Sequence, residues 1–250
     1  MIAILSPAKK LNQKRSFPEN LPFTEPVFKE KAAQLVERLR KLTPGQLTEL
    51  MGISPKLAEL NAERFGQWTT QGSYPAVFLY DGDTYKGLDI ETFPTDKLAD
   101  LQAHVRIVSG LYGLLRPLDL IMPYRLEMKT PLPVEGHKNL QSYWRDTVTG
   151  HLRNELQGRP LINLASKEYA AVVDESRLEA PVVHIDFKDY KRGAYRTIGL
   201  LAKRARGNMA RWIALNKPEK PEELKAFEGL GYRFAPEVSD EHKMVFIRRQ

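Results

Sequence analysis

A chain of 250 residues, 42 % hydrophobic and 28 % charged, is long enough to bury a sizeable core, and no window reaches the roughly 18 consecutive apolar residues that a membrane span requires. Thirty-eight Lys and Arg against 31 Asp and Glu leave a formal charge of +7, which favours anionic partners such as nucleic acid, phosphorylated metabolites or an anionic membrane. The absence of cysteine excludes disulfide scaffolding, thiolate nucleophiles, thiol peroxidase chemistry and cysteine-ligated zinc or iron–sulfur clusters, and the start of the chain lacks the basic region and length of a signal peptide, so a cytoplasmic protein is expected.

Residues 2–5 predict a short apolar strand running into Ser6-Pro7-Ala8-Lys9-Lys10, a turn that brings two ammonium groups to a strand end. A polar connector follows to about residue 23. From Glu25 to Leu42, Val27, Phe28, Ala32, Leu35, Val36 and Leu39 recur at helical spacing and predict an amphipathic helix. Two shorter helices flank Gly52. The run Ala76-Val77-Phe78-Leu79-Tyr80 has strand composition and ends at the turn signal Asp81-Gly82-Asp83. Further on, the pattern predicts a helix over 95–104, short strands and tight loops over 105–128, and a long helix over 138–156. Strands over 160–165, 181–187 and 194–200 follow, then a helix over 202–215 and strands over 227–234 and 244–247. No repeat, low-complexity tract or long linker intervenes, so a single α+β domain spanning 1–250, a mixed sheet with flanking helices, is expected.

Within 43–66, the residues from Leu47 to Leu60 place apolar side chains three apart, then Gly52-Ile53-Ser54, then a second helix, which is how a helix-hairpin-helix reads. Gly52 would supply a positive φ for the turn, Ile53 would pin the hairpin to the core, and Ser54 would cap a helix opening on Pro55. The free amides of that second helix, with Lys56 beside them, form an anion site for a DNA phosphate. The same residues also suit an ordinary capped turn, because Ser54 stands where a second glycine is usual. Glu49, Glu59 and Glu63 moreover outnumber Lys56 and Arg64 there, so the hairpin needs a basic complement. Residues 188–211 offer one: eight Lys and Arg against Asp189 alone, a balance of 8 − 1 = +7, with Lys203, Arg204, Arg206 and Arg211 on the predicted helix. A solvated helix face is the alternative.

A second candidate site is the polar block from Arg116 to Glu127. Arg116 and Arg125 would clamp a phosphate or carboxylate while Asp119 or Glu127 handles protons, with Lys167 joining from a strand end. Arg–carboxylate pairs that lock loops are the competing account. His184 and Asp186 share a strand face, but no third ligand stands at a recognisable spacing, so no metal and no cofactor are expected. No Walker loop, Rossmann glycine fingerprint or Gly-x-Ser-x-Gly elbow is present.

Several stretches, in order along the whole chain, resemble the YaaA family: Leu5-Ser6-Pro7-Ala8-Lys9, Leu50 to Leu60, Ser109 to Asp119, Pro123 to Met128, Asn163-Leu164-Ala165-Ser166 and Lys203-Arg204-Ala205-Arg206-Gly207. The resemblance implies a bacterial protein of peroxide resistance, linked to lower free iron. It also implies a domain of unusual topology with a positively charged cleft, and a helix-hairpin-helix that binds duplex and branched DNA. Carried onto this chain, the hairpin positions are Gly52, Ile53, Ser54 and Lys56, and the basic candidates are Lys9, Arg116, Arg125, Lys167, Lys203, Arg204, Arg206 and Arg211. The expectation is therefore a largely sequence-independent DNA-binding protein, with an enzyme or small-anion binder built on the Arg116 to Glu127 block as the alternative.

Overall fold

Four apolar residues bring the chain straight into the core: β1 (Ile2–Leu5) has every side chain buried. Successive strand side chains point to opposite faces, so such a strand is covered on both sides, as a central strand of a parallel sheet must be. The computed structural model describes residues 1–249. After the connector, α1 (Lys29–Leu39) buries Ala32, Leu35, Val36 and Leu39 and starts later than its periodicity suggests, leaving Val27 exposed. α2 (Pro44–Met51) opens on a capping box between Thr43 and Gln46 and ends at Gly52, whose φ of 60° and ψ of 45° are the left-handed pair glycine adopts without strain. α3 (Pro55–Gln67) follows.

The expected strand at 76–80 is a correction. Only Tyr74–Pro75 forms a strand, β2, and the apolar run is a single helical turn, α4 (Ala76–Leu79). Pro75 sits at its N-cap, and the amides of Ala76 and Val77 bond to the carbonyls of Asp119 and Pro117, so loop contacts take the donors that a ladder would use. Strand composition here reports burial, which the four residues achieve in a helical turn. The turn signal at 81–83 likewise becomes a helix start: Gly82 is the N-cap of α5 (Asp83–Leu88).

α6 (Leu98–His104) leads into β3 (Val105–Ser109), β4 (Gly113–Leu115) and β5 (Leu120–Ile121), and then come α7 (Leu140–Leu156), β6 (Leu161–Asn163) and the one-turn α8 (Lys167–Ala170). β7 (Val182–Lys191) and β8 (Ala194–Arg196) form a hairpin turned at Arg192 and Gly193, both at positive φ. α9 (Gly199–Asn216), β9 (Arg233–Phe234) and β10 (Lys243–Arg248) complete the chain. The strand expected over 227–234 contracts to β9 because residues 229–231 form a 3-10 turn.

The sheet runs β4-β3-β1-β6-β7-β10-β9, with β8 on β7. Its five central strands are parallel and β4, β8 and β9 are antiparallel, so the expected mixed sheet of one α+β domain is present. The chain passes from β1 to β3 on one side and later returns to β6 on the other, making β1 a switch point whose neighbours end at Ser109 and Asn163. In open parallel sheets a crevice forms beyond the carboxyl ends of strands at such a point.

Candidate functional site

Loops leaving the carboxyl ends of β1 and β6 are tied together by serine. The amide of Ser166 donates to Ser6 Oγ at 2.8 Å, and Ser6 Oγ donates to Ser166 Oγ at 3.3 Å. Lys9, four residues beyond β1, pairs with Glu127 at 2.8 Å; the same carboxylate takes Arg125 at 3.0 Å and Lys129 at 3.6 Å. Burial pushes the Glu127 carboxyl up, but Lys9 and Arg125 outweigh it and hold the group below the usual range.

Arg116 and Arg125, expected to clamp one anion, are brought to different places. Arg116 lines a cavity of about 160 Å³ with Arg106, His151 and Glu155, whereas Arg125 faces Glu127. Asp119 is nearly inaccessible and fully used: it accepts the backbone amide of Arg116 at 2.8 Å, the hydroxyl of Thr24 at 2.5 Å and Arg116 Nε at 3.3 Å. Burial pushes its carboxyl above the ordinary range against those bonds. Asp119 thus staples a loop, as the competing account has it, and the cavity at Arg116 does not include Arg125 or Glu127.

At the other candidate, Gly52, Ser54, Pro55 and Lys56 are exposed while Ile53 is buried, so the turn is anchored as expected and open to solvent. Ser54 occupies the N-cap of α3 with Pro55 at the first helical position, but its hydroxyl makes no capping bond. The expected cap is therefore absent, and the amides of Lys56 and Leu57, which have no partner within a helix, make no hydrogen bond among the described residues. α2 and α3 pack on each other, and α3 on α1; α9 packs on α5, α6, β1 and β7. The hairpin and the basic helix thus belong to different parts of the fold.

The basic run at 188–211 is split between the β7–β8 hairpin and α9. Lys191, Arg192 and Arg196 are exposed on the β7–β8 hairpin beside Tyr190 and Tyr195, whose rings lie 5.3 Å apart. Lys203 and Arg204 are exposed on α9, Arg204 lying 3.6 Å from Asp83. Arg211, expected on the DNA-binding surface, instead bonds the carbonyls of Leu88, Asp89 and Thr92 and lies over the Phe93 ring, satisfying the carboxyl end of α5. Arg206, also expected there, turns inward: burial lowers its guanidinium pKa, Asp186 partly opposing this, and its Nε is buried without a hydrogen-bond partner.

Arg206 faces a cleft of about 610 Å³, lined also by Lys167, Arg145, Asn163, Glu175, His184, Asp186 and Lys243. Strand register explains it. His184 pairs with Asn163 of β6 and Lys243 of β10, and Asp189 pairs with Arg196 of β8 and Arg248 of β10, so β6 and β8 lie on the same edge of β7. β6 ends opposite His184 and β8 ends opposite Asp189, leaving residues 185–188 of β7 without a strand neighbour on that edge. The sheet has a notch there. His184 is held at its rim, with Nε2 3.0 Å from Glu175 and Nδ1 3.3 Å from Asn163 Nδ2. Asn163 Oδ1 accepts the Ala165 amide at 3.1 Å, which orients the Asn163 amide group; His184 Nδ1 is then the acceptor, and the proton on Nε2 points to Glu175. Of these residues only Lys167 and Arg206 were singled out in the sequence as site residues. His184 and Asp186 share a face as expected, but Asn163, Glu175 and Lys243 join them only through register. Among the described residues no group of three or more His, Asp or Glu is arranged to hold a metal.

Fold and site together define a single-domain α+β protein with a mainly parallel sheet, charged groups gathered at its strand ends and an excess of exposed cations. The chain belongs to the family described as peroxide stress protein YaaA, whose model matches residues 1–238. It is similar over its whole length to UPF0246 proteins: 45 % identical to one from Tolumonas auensis, covering 99 % of this chain and 98 % of the relative, and 47 % identical to one from Ralstonia nicotianae, covering 100 % and 99 %. A UPF0246 protein of Neisseria meningitidis serogroup A is 44 % identical at the same coverage as the Ralstonia protein.

Proposed function

We propose that this peroxide stress protein works by binding double-stranded or branched DNA through its phosphates, with little sequence preference, in protection or repair of DNA. The observation that carries this reading is the exposed Gly52 to Lys56 turn. A left-handed glycine and a buried isoleucine fix the entry to α3, an uncapped first turn leaves amides for an anion, and Lys56 adds a cation with no ion-pair partner among the described residues. In this reading α2 and α3 act as a helix-hairpin-helix. The supporting cations are Lys203 and Arg204 together with Lys191, Arg192 and Arg196, a set from which Arg206 and Arg211 drop out and in which Lys9 is shared with Glu127.

Neutralising phosphates releases counterions, so affinity should fall steeply with salt, and each phosphate no longer neutralised should lower the slope of log K against log salt by about 0.9 for duplex DNA. The test is a salt-titrated gel shift with duplex, single-stranded and four-way DNA on wild type, Lys56→Ala and Lys203→Ala/Arg204→Ala. Weaker binding with a shallower slope in both variants is expected, alike for unrelated duplex sequences. Salt-insensitive or absent binding by the wild type would reject the function, and an unchanged Lys56→Ala would reject the hairpin as its site.

A further inference from the structure

The notch beside β7 has features that a solvated sheet edge does not require. Four cations line it, Lys167, Arg206, Lys243 and Arg145, against the carboxylates of Glu175 and Asp186, a balance of 4 − 2 = +2. Arg145 is answered by Asp174 at 3.2 Å. Lys167, Arg206 and Lys243 form no ion pair among the described residues, although they come from three separate elements, α8, α9 and β10. Arg206 is the telling member. A buried N–H is costly to leave without an acceptor, yet the Nε of the half-buried Arg206 is sealed from solvent and makes no hydrogen bond among the described residues. Folding that leaves this N–H without an acceptor loses stability, and an anion entering the notch would recover it.

We propose that the notch between the end of β6 and the end of β8 is a binding site for a phosphomonoester of nucleotide size, with Lys167, Arg206 and Lys243 around the phosphate and the Asn163–His184–Glu175 row as a polar wall. Three cations without an ion pair among the described residues suit a dianion better than a single carboxylate. The volume of about 610 Å³ lies within the range of small-molecule sites, roughly 300–1,000 Å³, so more than the phosphate fits. Position agrees: the cleft opens where β6 ends beside the switch strand β1, and Lys167 follows Ser166, which is bonded to the β1 loop. The His184 ring is held from both sides, so it presents a fixed edge to a ligand. Two sources carry this chemistry, a free mononucleotide and the 5′-phosphate at a DNA strand end. The site is independent of the hairpin surface and stands whether or not duplex DNA binds there.

Titration calorimetry with AMP and adenosine, and gel shifts on a gapped duplex with and without a 5′-phosphate, test it on the whole chain. The expected result is binding of AMP or of the phosphorylated gap, in preference to its partner lacking phosphate, weakened at least about tenfold by Arg206→Gln and by Lys167→Ala. AMP binding without preference for the phosphorylated gap identifies the free nucleotide as the source; the reverse identifies the strand end. Lys167 is exposed, so its variant reports even where Arg206→Gln fails to fold. Unphosphorylated duplex should bind these variants as it binds wild type, and its loss in the wild type would fault the hairpin reading alone. No phosphate-dependent binding by the wild type, or binding indifferent to Lys167→Ala, overturns the notch as a phosphate site.

Discussion

Glu127 holds Lys9, Arg125 and Lys129 around one mostly buried carboxylate, and so joins the loop after β1 to the loop before α7. Because its folded pKa is depressed, its contribution is present above the unfolded value, near 4.5, and is lost as pH falls through the folded value. Glu127→Gln keeps the shape but removes the charge; charge-assisted hydrogen bonds are worth about 1.5–3 kcal/mol each, so a loss of that order is expected at pH 7. In thermal melts the variant should lie clearly below wild type at neutral pH, with the gap narrowing as pH falls from about 4.5 through the folded value. A gap that does not narrow as the solution is acidified would mean that packing, not charge, is what Glu127 supplies. Asp119 has the opposite sign: its pKa is raised, so whatever stability its protonated form contributes is present in acid and lost as pH rises, and it cannot be the source of the predicted acid loss.

Between elements, α9 crosses α5 at close range. A Cβ on Gly207 would lie 1.7 Å from the Thr84 carbonyl oxygen, and one on Gly87 would lie 1.9 Å from that of Arg204, so neither helix can carry a side chain where their backbones meet. This is why the segment Lys203-Arg204-Ala205-Arg206-Gly207 alternates charged and small residues: the small ones face α5 and the core, and the charged ones are left for solvent and the notch. Gly207→Ala forces helices apart through backbone atoms that cannot yield, and should destabilise by about 3 kcal/mol or more. Gly199, at the start of the same helix, has open space at its Cβ; Gly199→Ala should be neutral or stabilising, by about 0.4–1 kcal/mol. Chemical denaturation of the pair checks this. Equal effects of the two substitutions would show that helix propensity rather than the crossing governs this region.

Across the whole molecule, stability should be unevenly spread. β1 is buried on both faces and flanked by parallel partners, whereas the β7–β8 hairpin beyond Asp189 is paired only to itself on one edge and carries exposed side chains from Tyr190 to Arg196. Hydrogen exchange should accordingly release amides of 190–196 orders of magnitude before those of 2–5, which should exchange only on global unfolding. Comparable protection of the two segments would contradict the central place given to β1.

Much of the architecture was legible in one dimension because it depends on local pattern. The apolar run at 2–5, the period of α1, the long stripe of α7 and the glycine at 52 each specify their conformation through neighbours in the chain. Fold class followed from those patterns, and the strand at 76–80 failed because its hydrogen-bond partners lie some forty residues away at Pro117 and Asp119. The site was legible only as composition. The sequence counts cations at 188–211, but whether Arg206 faces solvent or a cleft, whether Arg211 binds a ligand or caps a helix, and whether Arg116 and Arg125 meet are decided by how α9 crosses α5 and where the loops close. The notch itself exists only through strand register. Local residues determine the elements because torsions and periodic burial are short-range; which charges gather is a matter of contacts between residues distant in the chain, and those only the tertiary structure supplies.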